Sequence, residues 1–248
     1  PIPTAATRQA IQQAAQARWS IGINPDESEY LGVALEQERG IPCIRPDLPL
    51  GVAATARWLA AVAAQTGLVP SLPAQIDARE RADLAPLVAQ QPLCGARVTL
   101  SLPAAYAFGM LSFLPELGAE VVGLTVHSFD QRHLGRLGQL AQARPELAVH
   151  IGEGQSFEEA NILKRLAPDL HLCWDEHALV ALRLGIPALA LREIGVLGYR
   201  GAQRFALRAA RALQNRALAA GLGALDESPY HRSWYTKKPN WYLKYEVK

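Results

Sequence analysis

Two short stretches concentrate the side chains that could do chemistry. Gly152-Glu153-Gly154-Gln155-Ser156-Phe157-Glu158-Glu159 follows one predicted strand, and Trp174-Asp175-Glu176-His177 follows another. Glycines on either side of Glu153 let the backbone approach a bound group closely. A carboxylate such as Glu153 rises in pKa beside an apolar ligand and can then donate a proton. The competing reading is a helix start, with Ser156 as cap and Glu158 and Glu159 at the positive end of the helix dipole. The run lacks the Lys and Ser/Thr of a phosphate-binding loop. In the second stretch His177 can ligate a metal or shuttle protons, with Asp175 orienting it. Two carboxylates and a His so close in sequence do not converge on one metal without a tight turn, which argues against zinc. The competing reading has Asp175 capping a helix from Glu176, with His177 half-buried on the surface. Glu153, Gln155, Trp174 and His177 are therefore the candidate substrate-binding residues. No catalytic residue and no metal ligand is assigned.

The elements that must position these residues follow a regular grammar. A strand at Arg97–Ser101, a helix at Pro103–Leu117, Gly118 and a strand at Glu120–His127 are followed by the same alternation through residues 168–213. Strands alternating with helices of ten or more residues predict an α/β fold, a doubly wound, mostly parallel sheet covered by helices. Such sheets bind ligands at the carboxyl ends of their strands. That places the chemistry on the loops after Ser101, His127, Gly152, Trp174 and Arg192. In the long helix near the end, Ala202, Phe205, Ala206, Ala209, Ala210, Leu213 and Ala217 share one face, with Arg204, Arg208, Arg211 and Asn215 opposite. Before residue 70 the pattern gives helices at Thr4–Ala17, Pro25–Arg39 and Val52–Gln65. Short strands at Trp19–Ile23 and Gly40–Ile44 lie between them. Gly67–Pro73 reads as a hinge, and Gln75–Val88 as an exposed charged helix. The expected units are 1–70, the end of one α/β domain; 71–227, a complete one; and 228–248, a tail.

Composition excludes several classes. The 248 residues are 50% hydrophobic, enough for a core without disulfide staples. Lys and Arg number 25 against 23 Asp and Glu, too even a balance for a nucleic-acid partner. No apolar run approaches a membrane span. Cys43, Cys94 and Cys173 are far apart and form no metal-binding spacing, which fits buried thiols in a cytoplasmic protein. Histidines 127, 133, 150 and 171 show no ligand spacing. The tail gathers Trp234, Tyr235, Trp241, Tyr242 and Tyr245 among cations, and is expected to bury them against a partner or against upstream chain. The chain opens at Pro1 on a helix-like segment, so it is expected to be the carboxyl-terminal part of a longer protein.

Several motifs together carry a resemblance. GIPCIRPDLP followed by LGVAATARWLAAVAAQTG resembles the P-x-G-x-x-A-T-x-x-[FL]-L segment of nitrogenase component one. FLPELGAEVV and the later PDL…LGIP…GYRG order are similar to the last domain of that family, so the likeness spans roughly residues 4–220. It implies two of three α/β domains and a heterotetramer with a related second subunit. It also implies an ATP-dependent iron–sulfur reductase component as electron donor. An iron–sulfur cluster (4Fe–4S) is implied for the full complex, its ligands outside this chain. The EGQ…PDL stretch looks like the dark-operative branch that reduces chlorophyll-pathway pigments, and the ending WYTKKPNWYLKYEVK resembles Y-type subunits of chlorophyllide reductases. The expected activity is reduction of a ring double bond of a chlorophyllide-type tetrapyrrole in bacteriochlorophyll biosynthesis. A scaffold for nitrogenase metallocluster assembly, or a nitrogenase-like reductase of another small substrate, stays open. So does a sugar-nucleotide enzyme outside the family, with its pocket near Glu176 or Glu193. The loop Arg192–Gly201 lacks the His that ligates the cofactor in catalytic nitrogenase subunits.

Overall fold

Asn24, Pro25 and Gly40 delimit the first long helix for local reasons. In the computed structural model, which describes residues 7–152, 154–175, 177–225, 233 and 235, helix α1 spans Arg8–Ala14 and strand β1 Ser20–Ile21. Helix α2 spans Pro25–Arg39; the Asn24 side chain accepts from the Asp26 N–H, and Gly40 closes the helix at φ 68°. Strand β2, Cys43–Ile44, pairs parallel with β1 in a two-stranded sheet. Helices α3 (Val52–Thr66) and α4 (Ser71–Ala89) follow and pack on each other across the predicted hinge.

The larger sheet has β3 (Arg97–Pro103), β4 (Glu120–His127), β5 (Ala148–Ile151), β6 (Leu170–Cys173) and β7 (Ala188–Ala190). Their order is β5-β4-β3-β6-β7, and every pairing is parallel. This is the predicted α/β architecture. The chain winds outward from β3 to β5, then returns to β6 beside β3. The direction of winding thus reverses between β3 and β6, where sheets of this kind open a crevice. The intervening helices are α5 (Ala104–Phe113), α6 (Leu134–Ala143), α7 (Ser156–Leu166) and α8 (Ala178–Arg183), with α9 (Gly198–Gln214) and α10 (Ala217–Leu225) after β7.

The two faces of this sheet differ because residues alternate along each strand. Val98, Leu100, Leu102, Leu124, Val126, Leu170 and Leu172 belong to the main core with Phe113 of α5 and Phe205 of α9. Those two rings meet at 5.5 Å. The alternate positions are Thr99, Ser101, Thr125, His127, His171 and Cys173, all buried. Helix α7 covers that second face, since Leu166 and Ile162 lie where a side chain at Gly123 would have to go.

Carboxylates lock the small sheet's helices to the large sheet's helices in both directions. Asp26 Oδ2 accepts from the Ala105 N–H at the start of α5 at 2.8 Å, and Glu116 accepts from the Val52 and Ala53 N–H groups at the start of α3 at 3.1 and 3.4 Å. Each anion sits where unsatisfied N–H groups and the helix dipole favour it. Leu50 also bridges Leu197, and the Gly198 N–H donates to the Pro49 carbonyl. The GYRG turn is thereby a packing device. Tyr199 donates its hydroxyl proton to Asp77 of α4 at 2.5 Å, and Gly201 lies against the Val196 backbone.

Candidate functional site

The polar face of the large sheet converges on one carboxylate. Glu159, in the first turn of α7, is 5% exposed. Its Oε2 lies 2.6 Å from Nδ1 of His177, and its Oε1 3.3 Å from Nε2 of His171. The second contact is an ion-pair distance without hydrogen-bond alignment. Thr99 Oγ1 is 3.0 Å from Nδ1 of His171, Ser101 Oγ is 2.9 Å from Nε2 of His127, and the His127 and His177 rings lie 5.0 Å apart. Burial pushes the Glu159 carboxyl up, but His171, Ser101 and His177 outweigh it and hold it down at about 2. Glu159 is therefore an anion held between imidazoles at the crevice between β3 and β6.

Of the predicted site residues, Gln155 and His177 share this place. Both line a cavity of about 10 Å³ with Ser101, Thr125, His150 and Glu159. That is the size of one water molecule. Gln155 Oε1 reaches His150 Nε2 at 3.0 Å beside this space. Trp174 lies elsewhere. It follows Cys173 by one residue, so it points to the other face and meets Tyr106 of α5, ring centroids 4.5 Å apart. Glu153 lies outside the described residues. Ser156 is not the cap: it is the first helical residue, and Gln155 holds the cap position without a side-chain bond to the helix. Asp175 pairs with Arg192 at 3.2 Å, and α8 starts at Ala178, with His177 at its cap position. Sequence reasoning missed Ser101, His127 and His171 and assigned Glu159 only to the helix dipole. The signal was present in the alternation T-L-S-L, L-T-V-H and L-H-L-C, which puts a polar residue on the same face of three adjoining strands.

A second concavity lies between the two sheets. It holds about 190 Å³ and is walled by Gly22, Asp26 and Arg45 from the small sheet's side and by Phe108, His133 and Arg136 from the other. The charges here are matched. Arg45 pairs with Glu36 at 2.7 Å, Arg136 with Asp47 at 3.2 Å, and Arg132 with Glu29 and Asp130. His133 Nδ1 accepts from the Asp130 N–H at 3.3 Å, so Nε2 carries the proton that it donates to Asp26 at 2.9 Å. The start of α5, where a doubly wound enzyme would seat a nucleotide phosphate, is thus already filled by Asp26.

The family model for nitrogenase component 1 type oxidoreductases matches residues 1–214. The chain belongs to that family. The solved structures "Nitrogenase Cp1 at pH 5" and "Nitrogenase Cp1 at pH 6.5" share its fold. Their TM-scores are 0.69 and 0.71 at 16% and 14% identity, over 86% of this chain in both cases. The chain spans 50% and 52% of the length of those two structures. No curated protein sequence gives a significant match. No helix among the described residues is long and apolar enough to cross a membrane.

The donors among the described residues of this nitrogenase-like chain do not assemble a site for an iron–sulfur cluster. Among the described residues no three His, Cys, Asp or Glu side chains group to hold a metal. Cys94 is exposed and Cys43 half-buried. Cys173 is buried, and burial, then the charges of Glu159 and Asp175, push its thiol up to about 12, whereas a cluster needs a thiolate. Iodoacetamide at pH 8 is therefore expected to label Cys94 first and Cys173 only after unfolding. Peptide mass mapping after timed labelling checks this, and early labelling of Cys173 would contradict the buried thiol.

Proposed function

We propose that this nitrogenase-like chain is part of a subunit of an iron–sulfur-dependent reductase complex. Its substrate in this reading is a chlorophyllide-type tetrapyrrole, of which one ring double bond is reduced in bacteriochlorophyll synthesis. A related second subunit completes a heterotetramer, an ATP-dependent iron–sulfur component supplies electrons, and the complex works in the cytoplasm. Residues 1–70 are the end of a middle domain, 71–227 the last domain, and 228–248 an assembly tail. Of the tail only Ser233 and Tyr235 lie among the described residues; the Tyr235 ring is buried 4.1 Å from Lys164 Nζ.

The observation that carries this reading is the family match. Concavities of about 190, 310 and 390 Å³ lie at or below the lower end of the ~300–1,000 Å³ of ordinary small-molecule pockets, too small for a whole tetrapyrrole. The remaining walls and the cluster ligands come from outside this chain. Gln155, Trp174, His177 and the undescribed Glu153 serve as substrate-facing groups of the rim, with the Trp174 and Tyr106 rings packed at a tilt of 50° beside them.

The test is turnover by the assembled complex, supplied with its reductase component, ATP and chlorophyllide. An ATP-dependent change in the pigment's absorption spectrum is the expected result. A complex that leaves tetrapyrroles untouched but passes a metallocluster to a cofactor-free nitrogenase would replace the reductase with the scaffold reading.

A further inference from the structure

Glu159 faces two imidazoles that differ in depth. The side chain of His171 is 2% exposed and that of His177 11%. His171 is tied between Thr99 and Glu159 inside the sheet–helix interface, whereas His177 reaches the cavity lined by Gly152, Gly154 and Gln155. A carboxylate 2.6 Å from Nδ1 fixes that nitrogen as the donor and orients the ring. The opposite ring nitrogen, Nε2, then becomes the one whose proton exchanges. Imidazole is the side chain suited to such exchange near neutral pH.

Stability alone is a poor reason for the arrangement. Apolar residues of similar volume commonly serve a core as well as a buried ion pair does. The rest of this face shows that apolar packing was available, since Leu163 of α7 packs with Ala181 and Ile186 one turn away.

We propose that His177 donates a proton from Nε2 to a substrate bound over the carboxyl ends of β3, β4 and β6, with Glu159 as its positioning residue. The role rests on the reductase reading. Reduction of one carbon–carbon double bond takes two electrons and two protons. The iron–sulfur donor protein supplies the electrons, His177 supplies one proton to a ring carbon, and water supplies the other. The Nδ1–H stays on Glu159 throughout, so His177 ends the step as a neutral ring and regains its proton from water at the rim.

The decisive variant is His177→Asn in the assembled complex. Its amide can still donate to Glu159 from the place of Nδ1, and Nε2 is gone. The expected result is a fall in kcat of about 10²–10⁴-fold with KM little changed. In His177→Gly, imidazole added to the buffer should restore part of the rate, which a purely structural ring would not allow. Glu159→Gln should lower kcat less than His177→Asn does. A His177→Asn complex within twofold of the wild-type kcat would overturn the proposal. So would His177→Asn and His177→Gly complexes that assemble, lose turnover and gain nothing from imidazole.

The dyad is also read without substrate, by ¹⁵N spectra of the imidazoles in the unsubstituted chain. A proton on Nδ1 of His177 is expected, and a neutral ring protonated only on Nε2 would overturn the assignment. A wild-type complex that reduces no tetrapyrrole would remove the reductase reading and the donor role with it. The spectra would then still report the dyad, so the two failures carry different signatures.

Discussion

Gly201→Ala is expected to destabilise the chain by about 3 kcal/mol, at the upper end of the cost of overpacking. A Cβ at this position would lie 2.3 Å from the Val196 carbonyl carbon, 2.6 Å from its oxygen and 2.8 Å from the Gly195 oxygen. All three are backbone atoms, and none can swing aside. The strap Gly195–Leu197 would have to move, yet it is held by the Leu50–Leu197 bridge and by Arg204, whose Nη2 donates to the Gly195 carbonyl at 2.5 Å. Gly138 of α6 is the control, because nothing lies within 4 Å of its Cβ position. There alanine should stabilise by about 0.4–1 kcal/mol, through helix propensity and a less flexible unfolded chain. Thermal unfolding of the two variants should therefore move in opposite directions. A Gly201→Ala protein as stable as the wild type would mean that the strap is not fixed where it lies.

The same turn shows what the sequence could and could not disclose. GYRG was legible as a motif, and helix α9 as an amphipathic helix with Phe205 and Ala209 inward. That Gly201 is needed for contact with its own preceding strap was not legible, because the clash is set by how the chain doubles back. The strands were legible from alternation, and β4 was predicted with its observed bounds, Glu120–His127. The parallel sheet followed from the strand–helix alternation. The sheet order did not, and the site depends on it. His177 and Glu159 are 18 residues apart and belong to different crossovers. They meet only because β6 returns beside β3 rather than continuing past β5. Glu158 and Glu159 look alike as acids at a helix start. One residue is about 100° of helix rotation, and that turns Glu159 onto the face shared with Ala160 and Leu163 while Glu158 stays partly exposed. The interlock of Asp26 with α5 had no sequence signal either, since 79 residues separate the partners.

Replacing Glu159 should change how stability depends on pH as well as its size. The carboxyl sits at about 2 in the folded chain against an ordinary value of 4.5, so its stabilisation is present above pH 4.5 and is lost as the pH falls towards 2. The shift corresponds to on the order of 3 kcal/mol. That is comparable with the ~3–5 kcal/mol cost of removing one partner of a buried pair. Urea unfolding of wild type and Glu159→Gln across this range should therefore give a gap of roughly 3 kcal/mol at pH 7. The gap should close as the pH falls through about 2, below which both chains carry a neutral group at this position. Gln keeps the shape and one acceptor toward His177, so what closes with acid is the charge itself. A gap that stays constant from pH 7 to 2 would mean that Glu159 is not an anion in the folded protein. The dyad at the crevice would then lose its basis.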